Sequence, residues 1–240
     1  MGAEALPDRE DGREELAADG ALPEMANADC AGVPEDAGMS GSSYVTVVSG
    51  LPRSGTSLMM RMLEMGGRLP VTDGLRAADP DNPKGYYEFE RVKQLPKGDH
   101  AWVADAQGKS VKVISALLEH LPPRYEYRVI FMRRRMEEIL ASQREMLVRR
   151  GEPTDRTSDA AMSAIFDKHL QRIGVWVASR GNIALLDVEY ARLIANPRSE
   201  AERLAEFLGG DLDVARMAAA VDADLYRQRA GGADPKAARG

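Results

Sequence analysis

Only one of the 240 residues is a cysteine, Cys30, so no internal disulfide framework can form and a reducing, cytoplasmic setting is expected. No apolar run approaches the roughly 20 residues that a membrane span needs. The first residues are acidic and lack an apolar signal core, so a soluble chain without a membrane partner is expected. Aromatic residues make up 5% of the chain, and residues 1–43 contain none of them. That stretch is rich in Ala, Gly, Asp, Glu and Pro and cannot bury enough apolar surface to offset its ordering entropy, so it is expected to be a disordered acidic tail. No internal repeat is visible.

The net charge of −6 conceals a division. Residues 1–43 carry eleven acidic side chains against Arg9 and Arg13, a balance of −9, which leaves +3 on residues 44–240. A mildly basic body suits an anionic ligand better than the total suggests. At this length one sizeable domain with a full core is expected. Its bounds are set at 44–230, followed by a flexible C-terminal tail over 231–240.

What is present is organised around YVTVVSGLPRSGTSLMMRMLEMG, residues 44–66. Tyr44 to Val48 read as a β-strand, Ser49 to Ser57 as a glycine-rich loop, and Leu58 to Leu63 as a helix without a breaker. A helix N-terminus presents unpaired amides and a positive dipole end, and glycines let the backbone curl around a phosphate-sized group. Downstream, strands are expected at 111–114, 127–132 and 183–188, alternating with helices at 136–151, 158–180 and from Asn196-Pro197 to Gly209. A last helix runs from about Asp211 to Arg229. Strand-helix alternation implies parallel pairing, and the expected fold is a P-loop type three-layer α/β/α domain with a mainly parallel sheet of about four to five strands. Within 158–180, Met162, Ile165, Phe166, Ile173, Trp176 and Val177 share one helical stripe and are expected to be core.

The loop GLPRSGTS departs from the nucleoside-triphosphate loop G-x-x-x-x-G-K-[ST]. Thr56 stands where the lysine for the β- and γ-phosphates belongs, and the cation has moved into the loop as Arg53, which disfavours a magnesium triphosphate. A second basic cluster, Arg133-Arg134-Arg135, lies at the carboxyl end of an apolar strand, where open parallel sheets bind ligands. Three adjacent cations are costly together unless an anion is present or they splay into water. Ser142, eight residues after Arg134, borders the helical stripe of Met136, Ile139, Leu140, Met146 and Leu147 and could point at the same ligand.

The loop GLPRSGTS after a strand, together with R-x7-S as Arg134 and Ser142, resembles the sulfotransferases that use 3′-phosphoadenosine 5′-phosphosulfate. The late segment DVEYARLIANPRSEAERLAEFLGG is similar to that family's Y-E-D-L…P…fLG stretch, so the resemblance covers about residues 44–230. It implies that Pro52, Arg53, Ser54, Gly55, Thr56 and Ser57 cradle the 5′-phosphosulfate and that Arg134 and Ser142 hold the 3′-phosphate. The R-K-G-x-x-G-D-W segment of the cytosolic members is absent, and Arg227 and Arg229 are its candidate substitutes. No metal is implied. Partners are a small-molecule or conjugate acceptor, with no nucleic acid.

Sulfuryl transfer builds negative charge on the leaving phosphate, so a cation and amides aimed there stabilise the transition state, and Arg53 is the candidate. The acceptor hydroxyl or amine needs a base. Glu88 and Asp73 are the leading candidates, placed roughly where the heparan-type and protein-tyrosine members have their catalytic acids; His100 and His120 also remain open. Loop 73–108 is expected to shape the acceptor pocket, with Tyr86, Tyr87, Phe89 and Trp102 as lining or as core. Two other readings stay open: a P-loop kinase or NTPase with Asp187 as its magnesium ligand, and a non-catalytic nucleotide-binding relative.

Overall fold

The computed structural model describes residues 43–74, 87–154, 157–209 and 212–222. Within them lie four strands, β1 (Tyr44–Gly50), β2 (Ser110–Lys112), β3 (Glu126–Arg133) and β4 (Ile183–Glu189), and six helices. The helices are α1 (Thr56–Met65), α2 (Met136–Arg150), α3 (Asp159–Ala178), α4 (Tyr190–Ala195), α5 (Pro197–Phe207) and α6 (Val214–Ala219). Segments Glu90–Lys97, Ala101–Ala106 and Ser115–His120 are 3₁₀ helices.

The sheet is wholly parallel in the order β2-β1-β3-β4, an α/β fold with helices on both faces. β1 is central, and all seven of its residues are buried, which is why its sequence is a near-continuous apolar run rather than an alternating one. Pro70 forms a single parallel bridge to Ser110 beside β2. One face of the sheet packs Val48, Ile130, Met132 and Val188 against Met59, Met62 and Leu63 of α1 and against Leu193, Leu204 and Met217 of the last three helices. The other packs Val45, Val47, Val129 and Phe131 against Leu95, Trp102, Leu118 and the C-terminal half of α3.

Two expectations need correction. The α3 stripe is core only over its last turns: Ile173 and Val177 are buried and Trp176 is partly so, whereas Ile165 is 57% exposed. A helical stripe records an apolar face but not how far the partner surface extends along it. The last helix, expected from about Asp211 to Arg229, is within the described residues the six-residue α6, which ends at Ala219. The stretches 1–42, 75–86 and 223–240, which hold the acidic tail, Tyr86, Arg227 and Arg229, lie outside the described residues. No helix among the described residues is long and apolar enough to cross a membrane.

Candidate functional site

β1 ends at Gly50, whose φ of 146° starts a tight turn, and Gly55 at φ 103° caps α1. A Cβ on Gly50 would lie 2.5 Å from Ser54 Oγ and 2.8 Å from the Met132 carbonyl oxygen; one on Gly55 would lie 2.4 Å from the Tyr190 ring. Both glycines are therefore required by space as well as by φ. Between them Arg53 takes φ 71°, a left-handed conformation that costs an L-residue about 1 kcal/mol or more. The first amides of a helix have no acceptor in a preceding turn, and this curled loop stands at the start of α1, an arrangement that suits an anion. The Ser54 amide is committed to the Leu51 carbonyl at 3.2 Å, and its wholly buried hydroxyl has no partner among the described residues.

Parallel β1 and β3 bring the second basic cluster beside this loop, since Gly50 is in register with Met132. The three arginines splay. Arg133 pairs with Asp187 at 2.7 Å and lies over the Phe131 ring, and Arg135 is exposed at the start of α2. Arg134 turns inward: its Nε donates to Glu138 Oε2 at 2.9 Å, its terminal NH1 donates to the Arg53 carbonyl at 3.1 Å, and its guanidinium lies 4.6 Å from the Tyr190 ring centroid. Ser142 is buried on α2 and accepts from Arg53 Nε at 3.0 Å. The two predicted phosphate subsites are thus one connected site.

Two residues absent from the sequence reading join it. Tyr190, at the junction of β4 and α4, packs under both Gly55 and Arg134, and burial above all pushes its phenol up from the ordinary value. Lys112, the last residue of β2, donates from Nζ to Ser57 Oγ at 3.3 Å, adding a cation at the first turn of α1. Register with β1 would have been the only sequence signal for Lys112: a charged residue at the end of a short apolar strand next to the loop strand.

The candidate bases fall into two groups. Asp73 and Glu88 come together, because Asp73 N–H and Thr72 Oγ1 both donate to the Glu88 carbonyl, at 3.4 and 2.9 Å. Asp73 Oδ2 accepts the Glu90 amide at 2.7 Å, so this carboxylate helps to start the 3₁₀ helix Glu90–Lys97. The adjoining Tyr87 phenol, bonded to Glu64 on α1, is pushed up, chiefly by burial and then by that carboxylate. His100 starts the second 3₁₀ helix and its buried Nε2 has no partner among the described residues; His120 is exposed. Trp102 is buried core, edge-to-face with Phe89 at 5.4 Å. Asp187 sits on the outermost strand, two strands from the loop, and is bound to Arg133. Among the described residues no cluster of His, Cys, Asp and Glu could hold a metal.

A parallel α/β sheet carries a glycine loop and an arginine-serine contact, Arg53 to Ser142, at its carboxyl edge. A sequence profile of the sulfotransferase family matches residues 84–213, more than half of the chain, and the chain belongs to that family. The matched stretch begins after the loop and includes Arg134, Ser142 and Tyr190. No curated protein matches the chain significantly. Among solved structures, the chain is similar to the sulfotransferase STF1 from Mycobacterium tuberculosis H37Rv, at 19% identity and TM-score 0.50, covering 74% of this chain and 70% of that one. A sulfotransferase domain from the curacin biosynthetic pathway is similar at 14% identity and TM-score 0.47 over 74% and 77% of the two chains. Mouse sulfotransferase SULT7A1, complexed with PAP, is similar at 17% identity and TM-score 0.46 over 77% and 64%. The likeness to STF1 supports the fold alone, and the family assignment rests on the sequence profile.

Proposed function

We propose that the chain transfers a sulfuryl group from 3′-phosphoadenosine 5′-phosphosulfate to a hydroxyl or amine acceptor. The observation that carries this reading is the linkage of two anion subsites, the loop at the start of α1 and the Arg134–Ser142 pair, through Arg53. A single phosphate would use one of them; a nucleotide with a second phosphate uses both. The residues present fit such a donor: two glycines leave the room that a Cβ would fill, and the cations stand beside a helix N-terminus.

When bound, the donor supplies an activated sulfuryl group whose bond to the phosphate oxygen breaks as a new bond to the acceptor oxygen or nitrogen forms. The protein's own residues perform the rest. Pro52 to Ser57 hold the 5′ end, with Gly55, Thr56 and Ser57 contributing the helix N-terminus, and Arg53 with Lys112 counters the charge that grows on the departing phosphate. Arg134 and Ser142 hold the 3′-phosphate. Arg227 and Arg229 remain candidates for further donor contacts. Glu88 takes the acceptor proton; Asp73 is the weaker candidate because one of its carboxylate oxygens is already engaged by the Glu90 amide.

The test is a pair of measurements on the full chain. Adenosine 3′,5′-bisphosphate should raise the melting temperature and ATP with magnesium should not; the opposite pattern would sink this reading. Labelled sulfate should then pass from the donor to at least one member of a panel of alcohols, phenols and amines. Tight bisphosphate binding with no transfer across a broad panel would instead support the non-catalytic alternative.

A further inference from the structure

Among the described residues, Glu138 is a carboxylate in direct contact with the arginine assigned to the 3′-phosphate. Its side chain is 3% exposed, and that of Arg134 is 9% exposed. A negative charge so close to a site meant for an anion opposes binding by Coulomb repulsion, so its presence needs a reason. Geometry supplies one. Glu138 and Ser142 stand one helical turn apart on α2, on the same side of the helix. Glu138 receives Arg134 Nε, Ser142 receives Arg53 Nε, and Arg134 in turn donates to the Arg53 carbonyl. The contacts close a ring: α2 to Arg134, Arg134 to the loop backbone, the loop side chain back to α2. The loop residue in this ring is Arg53, the one with the left-handed backbone.

We infer that Glu138 is a positioning residue: its buried carboxylate fixes the guanidinium of Arg134 toward the second phosphate and, through Arg134, holds the Arg53 turn of the cradle. A long arginine side chain loses much rotamer freedom when it is ordered, and a carboxylate on Nε orders it before the ligand arrives. The tyrosine ring beneath it fixes the plane; Glu138 fixes the direction within that plane. The inference rests on the reading of the site as one for a 3′,5′-bisphosphate donor.

Charge and positioning predict opposite signs, which makes the experiment decisive. Glu138→Gln removes a negative charge beside the anion, so a pure charge effect tightens binding, whereas lost positioning weakens it. Dissociation constants of the full chain for adenosine 3′,5′-bisphosphate and adenosine 5′-phosphate are measured by calorimetry, because only the first ligand carries the group that Arg134 is assigned to hold. In Glu138→Gln the bisphosphate should bind roughly tenfold more weakly, the scale of one hydrogen bond to a charged group, while adenosine 5′-phosphate changes by about twofold or less. Glu138→Asp, which keeps the charge on a shorter arm, should lie between wild type and Gln. It also serves as the test if the Gln variant does not fold. Equal or tighter bisphosphate binding in the variants, or equal weakening of both nucleotides, overturns the inference. A wild-type chain that does not prefer the bisphosphate overturns the parent reading and this inference with it; a wild-type preference that the variants keep overturns this inference alone.

Discussion

The two ends of the sheet carry the same components in opposite electrical settings. At the amino end, Arg128 and Arg68 flank the Tyr44 ring at 4.1 and 5.4 Å; at the carboxyl end, Arg134 covers the Tyr190 ring at 4.6 Å with Arg53 beside it. The arginines at the amino end reach carbonyls: Arg128 bonds the Phe207 oxygen at 2.8 Å and Arg68 the Gly108 oxygen at 3.1 Å. The Tyr44 hydroxyl donates to the Leu208 carbonyl. Phe207 and Leu208 are the end of α5, the negative pole of that helix, so Arg128 neutralises what is already there. Arg53 and Arg134 instead stand beside the start of α1, a positive pole. The Glu138 carboxylate counters part of that positive charge, and a bound anion would counter more. An arginine stacked on a tyrosine is therefore no marker of a binding site; the helix end beside it decides.

This contrast can be broken most strongly at Arg53. Arg53→Ala should lower kcat by about a hundredfold, the scale of one transition-state donor, and affect bisphosphate affinity less, while Arg68→Ala leaves kcat unchanged. Steady-state kinetics with the donor would check both; an unchanged kcat in Arg53→Ala removes its assigned role.

The glycines come next. Gly55→Ala forces a Cβ into the Tyr190 ring at φ 103°, and its combined strain and overpacking should cost about 3 kcal/mol in urea unfolding. Gly209→Ala, at φ 59° against the movable end of Arg128, should cost about 1 kcal/mol. Similar values at the two positions would erase the difference between the ends.

Arg134→Ala should weaken bisphosphate binding by roughly 1.5–3 kcal/mol. Arg128→Ala should leave that affinity alone and lower stability only. Calorimetry and chemical unfolding of the two variants separate binding from folding.

The smallest expected effect is a pH dependence outside both ends. His169 on α3 contacts Ser115 Oγ at 2.9 Å, with Arg172 and Glu119 as the charged groups that act on it. Burial first, and Arg172 second, hold the imidazole below its ordinary value of 6.5. The unfolded chain therefore takes up the proton first as pH falls. The contribution is whole above about 6.5 and is lost on acidification through the lower folded value. Unfolding of His169→Gln should show a flatter stability profile below pH 6.5 than wild type.

Much of the site was legible because it is local. The apolar run of β1, the glycines at 50 and 55 and the capless start of α1 lie within a few residues of one another, and positive φ and helix dipoles are properties of such short stretches. That Arg134 and Ser142 lie on one strand-helix unit beside the loop was legible from their spacing, but Ser142 meets Arg53 and Arg134 meets Glu138, which the spacing did not tell. The α3 stripe misled because periodicity records which side of a helix is apolar, and Ile165 has no partner surface to make use of it. Lys112 and Tyr190 were missed because their distance to the loop depends on strand register and on the turn into α4, both contacts between residues far apart in the chain.

The amino-acid sequence by itself determined the strand-loop-helix unit, the two basic clusters and the absence of the triphosphate lysine, since these follow from side-chain chemistry and short-range backbone preference. Tertiary structure alone decided which arginine of three turns inward, that Arg53 bridges the two subsites, and that Glu138 takes the Nε of Arg134. Those outcomes depend on parallel register bringing Met132 alongside Gly50, and on burial, which makes a buried charge adopt whichever geometry satisfies it.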